Sequence, residues 1–76
     1  MMDSNLADVM IHIDETLDHK ALERIRDAII VEDGIASASF HDDKPHMMIV
    51  MYNPVWTSSS NLLEIVKDKG VRAELV

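Results

Sequence analysis

The sequence predicts an α+β sandwich, a four-stranded antiparallel sheet carrying both of its helices on one face. Two observations carry that expectation. Apolar periodicity switches between two and 3.6 residues in the order strand, helix, strand, strand, helix, strand, and turn-forming or capping residues stand at the switches. With right-handed crossovers, that order closes into a ferredoxin-like βαββαβ arrangement.

Each element has its own signal. Asp8-Val9-Met10-Ile11-His12-Ile13 alternates, with Val9, Ile11 and Ile13 on one face, as a half-buried strand does. Asp18 then suits a helix N-cap, where a carboxylate accepts backbone N–H groups at the positive end of the helix dipole. Leu22, Ile25 and Ile29 follow at helical spacing, with Lys20, Glu23, Arg24 and Asp27 on the opposite side. Gly34 leads into a second strand, Ile35 to His41. The turn Asp42-Asp43-Lys44-Pro45 joins it to a third, His46 to Tyr52, as a hairpin. Asn53-Pro54 breaks that strand, and Thr57 or Ser58 caps a second helix bearing Leu62, Leu63, Ile65 and Val66. Gly70 suits that helix's C-terminal end, and Val71 to Val76 alternates as the last strand.

These elements predict a helix-facing core of Val9, Ile11, Ile13, Leu22, Ile25, Ile29, Ile35, Ala38, Phe40, Met48, Val50, Tyr52, Leu62, Leu63, Val66, Val71, Ala73 and Leu75. Trp56, at the opposite end from the histidines, is expected to shield the bottom of that core. One domain over residues 1–76 accounts for the chain, with 1–7 expected to form a flexible N-terminal tail.

Composition narrows the function. At 47% apolar and 28% charged residues the chain reads as globular rather than disordered. A formal charge of −7, without a Lys/Arg cluster, argues against nucleic acid. The longest apolar run, Met47 to Tyr52, is far short of the roughly 20 residues that span a bilayer. The N-terminal residues carry no basic, apolar export pattern, so a cytoplasmic location is expected. With no cysteine anywhere, disulfides and thiolate metal sites are both excluded. The acid pairs Asp14-Glu15 and Asp42-Asp43 have no neighbouring nucleophile or base and read as solvated turns, so no enzymatic role is expected.

Three stretches carry a family resemblance. Gly34-Ile35-x-Ser37-Ala38-x-Phe40, Tyr52-Asn53-Pro54-x-x-Thr57-Ser58 and Gly70 to Leu75 resemble the corresponding segments of heavy-metal-associated domains, the modules of copper chaperones, mercury-binding proteins and metal-pumping ATPases. The resemblance runs from about Val9 to Leu75 and implies the same sandwich. That family grips a soft metal with a Met-x-Cys-x-x-Cys loop. Counted back from Gly34, its two cysteines fall at Asp18 and Ala21 and its methionine at Thr16, so no thiolate site survives here.

Two functions of different class remain. The first is metal-ion binding or trafficking through His/Met donors. His12, His41 and Met47 are expected side by side on adjacent strands, with His46, His19 and Asp42 nearby, a set suited to copper or zinc. The second is a protein-interaction or homodimerisation module. Its surface would be the sheet's open face, where Met10, Met47, Ile49 and Met51 replace the polar residues usual for a solvated sheet.

Overall fold

The computed structural model describes residues 5–41 and 43–76, with His41 described by its backbone alone. Four strands, β1 (Ala7–Ile13), β2 (Ile35–His41), β3 (Lys44–Tyr52) and β4 (Ala73–Leu75), form one antiparallel sheet in the order β2-β3-β1-β4. Helix α1 (His19–Ile30) connects β1 to β2, and α2 (Ser59–Lys67) connects β3 to β4. This is the α+β ferredoxin-like sandwich the periodicity predicts.

Alternation fixes which side of the sheet each residue serves. Val9 pairs with Val50 and Ile11 with Met48 across the two central strands. Ile11, Ile13, Met48 and Val50 are buried with Ile25, Ile29, Leu62 and Val66 of the helices, and Val9 packs half-buried against them. Met10 pairs with Ile49, Met51 with Asp8, and Met47 with His12, all on the other face. Because strand side chains repeat every two residues, a slip of one position would exchange the two sets.

Both helix starts follow the chemistry of their caps. The Asp18 carboxylate accepts the Ala21 N–H at 2.8 Å. Ser58 Oγ accepts the Asn61 N–H at 3.1 Å, and Thr57 Oγ1 accepts from the Asn61 side-chain amide at 3.0 Å. Of the two residues expected to cap α2, Ser58 is the N-cap and Thr57 supports it.

Several boundaries differ from expectation. β1 begins at Ala7, which pairs with Tyr52, so the last residue of the expected tail is in the sheet; residues 1–4 lie outside the described residues. β3 starts at Lys44 and includes Pro45, tolerated there because β1 has ended and no ladder partner needs the missing N–H. Asp42, in the turn before it, is also outside the described residues. β4 is shorter than predicted because the Arg72 N–H donates to the Glu15 carboxylate at 2.8 Å instead of to a strand. Leu75 pairs with Ile11 yet is 39% exposed, since β4 is an edge strand with nothing beyond it.

Trp56 does not shield the core. Asn53 organises a tight turn, its carbonyl accepting from Trp56 N–H at 3.0 Å and its side chain from Val55 N–H at 2.9 Å. That turn carries Val55 and Trp56 outward, and Trp56 is 67% exposed with its Cβ lying directly over Gly34.

Candidate metal centre

The C-terminal end of β1 gathers most of the molecule's polar chemistry. His12 and Asp14 are two residues apart and project to the same side of the sheet. The Asp14 N–H donates to the Arg72 carbonyl at 2.8 Å, which holds this end of β1 beside the approach to β4. One strand over, Glu74 is the register partner of His12. One ligand atom from each of His12, Asp14 and Glu74 lies within 4.8 Å of the other two, the one such group among the described residues.

The geometry around His12 leaves a donor uncommitted. Nδ1 lies 2.8 Å from Asp14 Oδ1. Nδ1 is shielded from solvent, and that contact does not count as a well-formed hydrogen bond. Such a nitrogen is costly to leave unsatisfied, and in the tautomer that carries the proton on Nε2 its lone pair can be given to a cation shared with Asp14.

His46 stands beside this group. Its ring stacks on that of His12, centroids 6.2 Å apart and planes inclined by 30°. Its Nδ1 is 3.1 Å from the carbonyl oxygen of Ile13. The two histidines line an open depression together with Asp14, Glu15, Thr16 and Arg72. Glu15, expected to be a solvated turn residue, is instead the acceptor that ties Arg72 and hence the start of β4 to this loop.

The donors expected from the sequence are only partly assembled. His12 and Met47 are cross-strand neighbours as predicted. A register shift in the β2–β3 ladder after Phe40 opposes the His41 backbone to Lys44, three residues from Met47, and the His41 side chain lies outside the described residues. His19 points elsewhere, pairing with Glu23 at 3.1 Å on the exposed side of α1. Asp14 and Glu74 are the residues that sequence reasoning missed. Their signal was available in the His12-x-Asp14 spacing, which continues the strand's period past its end, and in the placement of Glu74 on the strand next to His12.

The family's metal-loop positions are differently employed. Asp18 and Ala21 are the two ends of the α1 cap, one carboxylate oxygen bonded to one amide. Neither that oxygen nor the methyl group of Ala21 substitutes for a thiolate.

No protein-family model matches the chain, and no curated protein is similar to it at a significant level. Solved structures do match. A copper binding domain from HMA7, a P-type ATPase, superposes with a TM-score of 0.81 at 16% identity, covering 91% of this chain and 92% of that one. The fold is that of the heavy-metal-associated domains. Oxidized MerP from Ralstonia metallidurans CH34 gives a TM-score of 0.81 at 14% identity, over 92% of this chain and 96% of its own. The N-terminal domain of a potential copper-translocating P-type ATPase from Bacillus subtilis, in its Cu(I)-loaded state, gives 0.80 at 25% identity, over 90% and 84%. This chain has that backbone without a single cysteine.

The open sheet face is less exposed than its composition suggests. Met10, Met47 and Ile49 are half-buried by their cross-strand neighbours, while Met51 is 39% exposed. Ser37 and Ser39 of β2 stand opposite Met51 and Ile49 and limit the apolar patch on that side.

Proposed function

We propose that this domain binds and passes on a metal ion through imidazole and carboxylate donors at the end of the sheet. The observation that supports it most is the convergence of His12, Asp14 and Glu74 within 4.8 Å, with His12 Nδ1 shielded and lacking a well-formed hydrogen bond. Three protein donors, two of which (His12 and Asp14) line an open depression, leave coordination positions for water or for an acceptor's ligand, which suits an ion held as cargo rather than locked into the structure. The likeness to a copper binding domain and to a domain of a potential copper-translocating ATPase supports a trafficking role. The donor types replace the His12/His41/Met47 set expected from the sequence with one richer in carboxylate. Zinc or copper(II) is the fitting cargo, and binding rather than catalysis is the assigned activity.

Isothermal titration of the protein with zinc chloride tests the proposal. One equivalent should bind, and His12→Ala should lower the affinity by at least tenfold, with far-UV circular dichroism unchanged. Binding that is indifferent to His12→Ala contradicts it.

The continuous arrangement of Met10, Ile49, Met47 and Met51 supports a second reading, in which the open face docks a protein partner or a second copy. Native mass spectrometry separates the two. A monomer carrying one metal ion supports the first, and a metal-free dimer supports the second.

A further inference from the structure

We infer that His46 supplies a second imidazole to this centre, and that the four donors His12, His46, Asp14 and Glu74 select a borderline divalent cation of the zinc class. The inference rests on the metal-binding role proposed above and adds to it a ligand and a cation class.

The tautomer of His46 is set by its partner. A backbone carbonyl can only accept, so the 3.1 Å contact with Ile13 requires the proton of the neutral ring to sit on Nδ1. Nε2 then carries the lone pair. A ring whose one nitrogen donates to a carbonyl while the other is bare has the orientation typical of a metal-ligating histidine. The carbonyl belongs to the residue immediately after His12, so the bond that fixes the tautomer also holds the two rings in their 6.2 Å stack.

His46 does not belong to the group whose ligand atoms lie within 4.8 Å of one another, and it neighbours that group through its stack on His12. Around a tetrahedral ion with bonds near 2.0–2.2 Å, donor atoms lie about 3.4 Å apart. The exposed Asp14 and Glu74 carboxylates are free to turn toward the ion, whereas His46 must bring Nε2 to it while keeping its Nδ1 contact with Ile13.

Charge and softness then choose the ion. Two carboxylates balance a divalent cation when both imidazoles are neutral, whereas Cu(I) would leave one negative charge uncompensated and meet no thiolate. Calcium and magnesium prefer shells of oxygen and have little use for two imidazoles. The Met47 thioether opposite His12 is the one soft donor at hand, and Arg72 lining the depression moderates the attraction for any cation. Glu15 accepts from the Arg72 amide through one oxygen and lies outside the three-residue group.

The test is competitive titration with zinc chloride, calcium chloride and Cu(I) under anaerobic conditions, on the unsubstituted protein, His12→Ala and His46→Gln. Zinc should bind tightest, and His46→Gln should weaken it by about 10–100-fold. A long-range 1H–15N spectrum of the unsubstituted protein reads the same point without a substitution: zinc should shift Nε2 of His46 while Nδ1 keeps its proton. If His12→Ala abolishes binding while His46→Gln binds normally and Nε2 does not move, the second imidazole is wrong and the metal-binding role stands. If neither variant alters affinity, both fall. A preference for Cu(I) or calcium over zinc overturns the assigned cation class.

Discussion

Asp18 shows how one side chain can decide what a loop is for. At a position where heavy-metal-associated domains place a thiolate, it holds the first turn of α1 through a single 2.8 Å bond to Ala21. Replacing an N-cap aspartate by alanine costs about 1 kcal/mol. In a domain of this size, that lowers the melting temperature by roughly 4–8 °C. Asp18→Ala should show this loss in thermal denaturation and leave zinc affinity unchanged in calorimetry; a lost affinity would return the metal to the loop. The cap was legible in the sequence because its signature is local. Glu15 was not, because its role depends on Arg72, 57 residues further along the chain, and no short-range pattern announces so distant a partner.

At the scale of elements, the sheet's interior was more legible than its ends. Period two in β1 and β3 gave the correct face for Val9, Ile11, Val50 and Met10, since a buried side chain has only two choices on a strand. The ladder of the hairpin slips after Phe40, and because a slip leaves no mark in alternation the offset that sets the His41 backbone opposite Lys44 was not legible. β4 was overextended for a related reason: its alternating residues continue upstream after a loop carboxylate has taken the Arg72 amide. The junction between β2 and the Asn53 turn makes a sharper prediction. Gly34 has φ +91°, and a Cβ there would meet the Trp56 Cβ at 2.5 Å, too close to be relieved by a flexible side-chain tip. Gly34→Ala should cost roughly 1–3 kcal/mol for the backbone alone, with the collision adding to it. Urea denaturation would measure it, and a neutral substitution would show that this turn is not tightly set.

For the molecule as a whole, the fold and the chemistry come apart. The backbone superposes on MerP and on domains of two P-type ATPases with TM-scores of 0.80–0.81, although sequence identity is 14–25%. That is expected when core volume and period are kept while individual side chains change. Among the described residues, no helix is long and apolar enough to cross a membrane. The formal charge of −7 favours cations over anions generally, but among the described residues only the end of β1 brings an imidazole and two carboxylates together. The candidate site was half visible beforehand: His12 and Met47 follow from strand order alone, whereas Glu74 enters only through the β1–β4 register. The proposed displacement of metal chemistry from the loop to the sheet is most directly tested by a backbone 1H–15N titration with zinc chloride. Resonances of His12, Asp14 and Glu74 should move together and saturate at one equivalent, while Asp18 to Ala21 stay in place. Shifts centred on Asp18 to Ala21, or a spectrum that zinc leaves unchanged, would contradict that displacement.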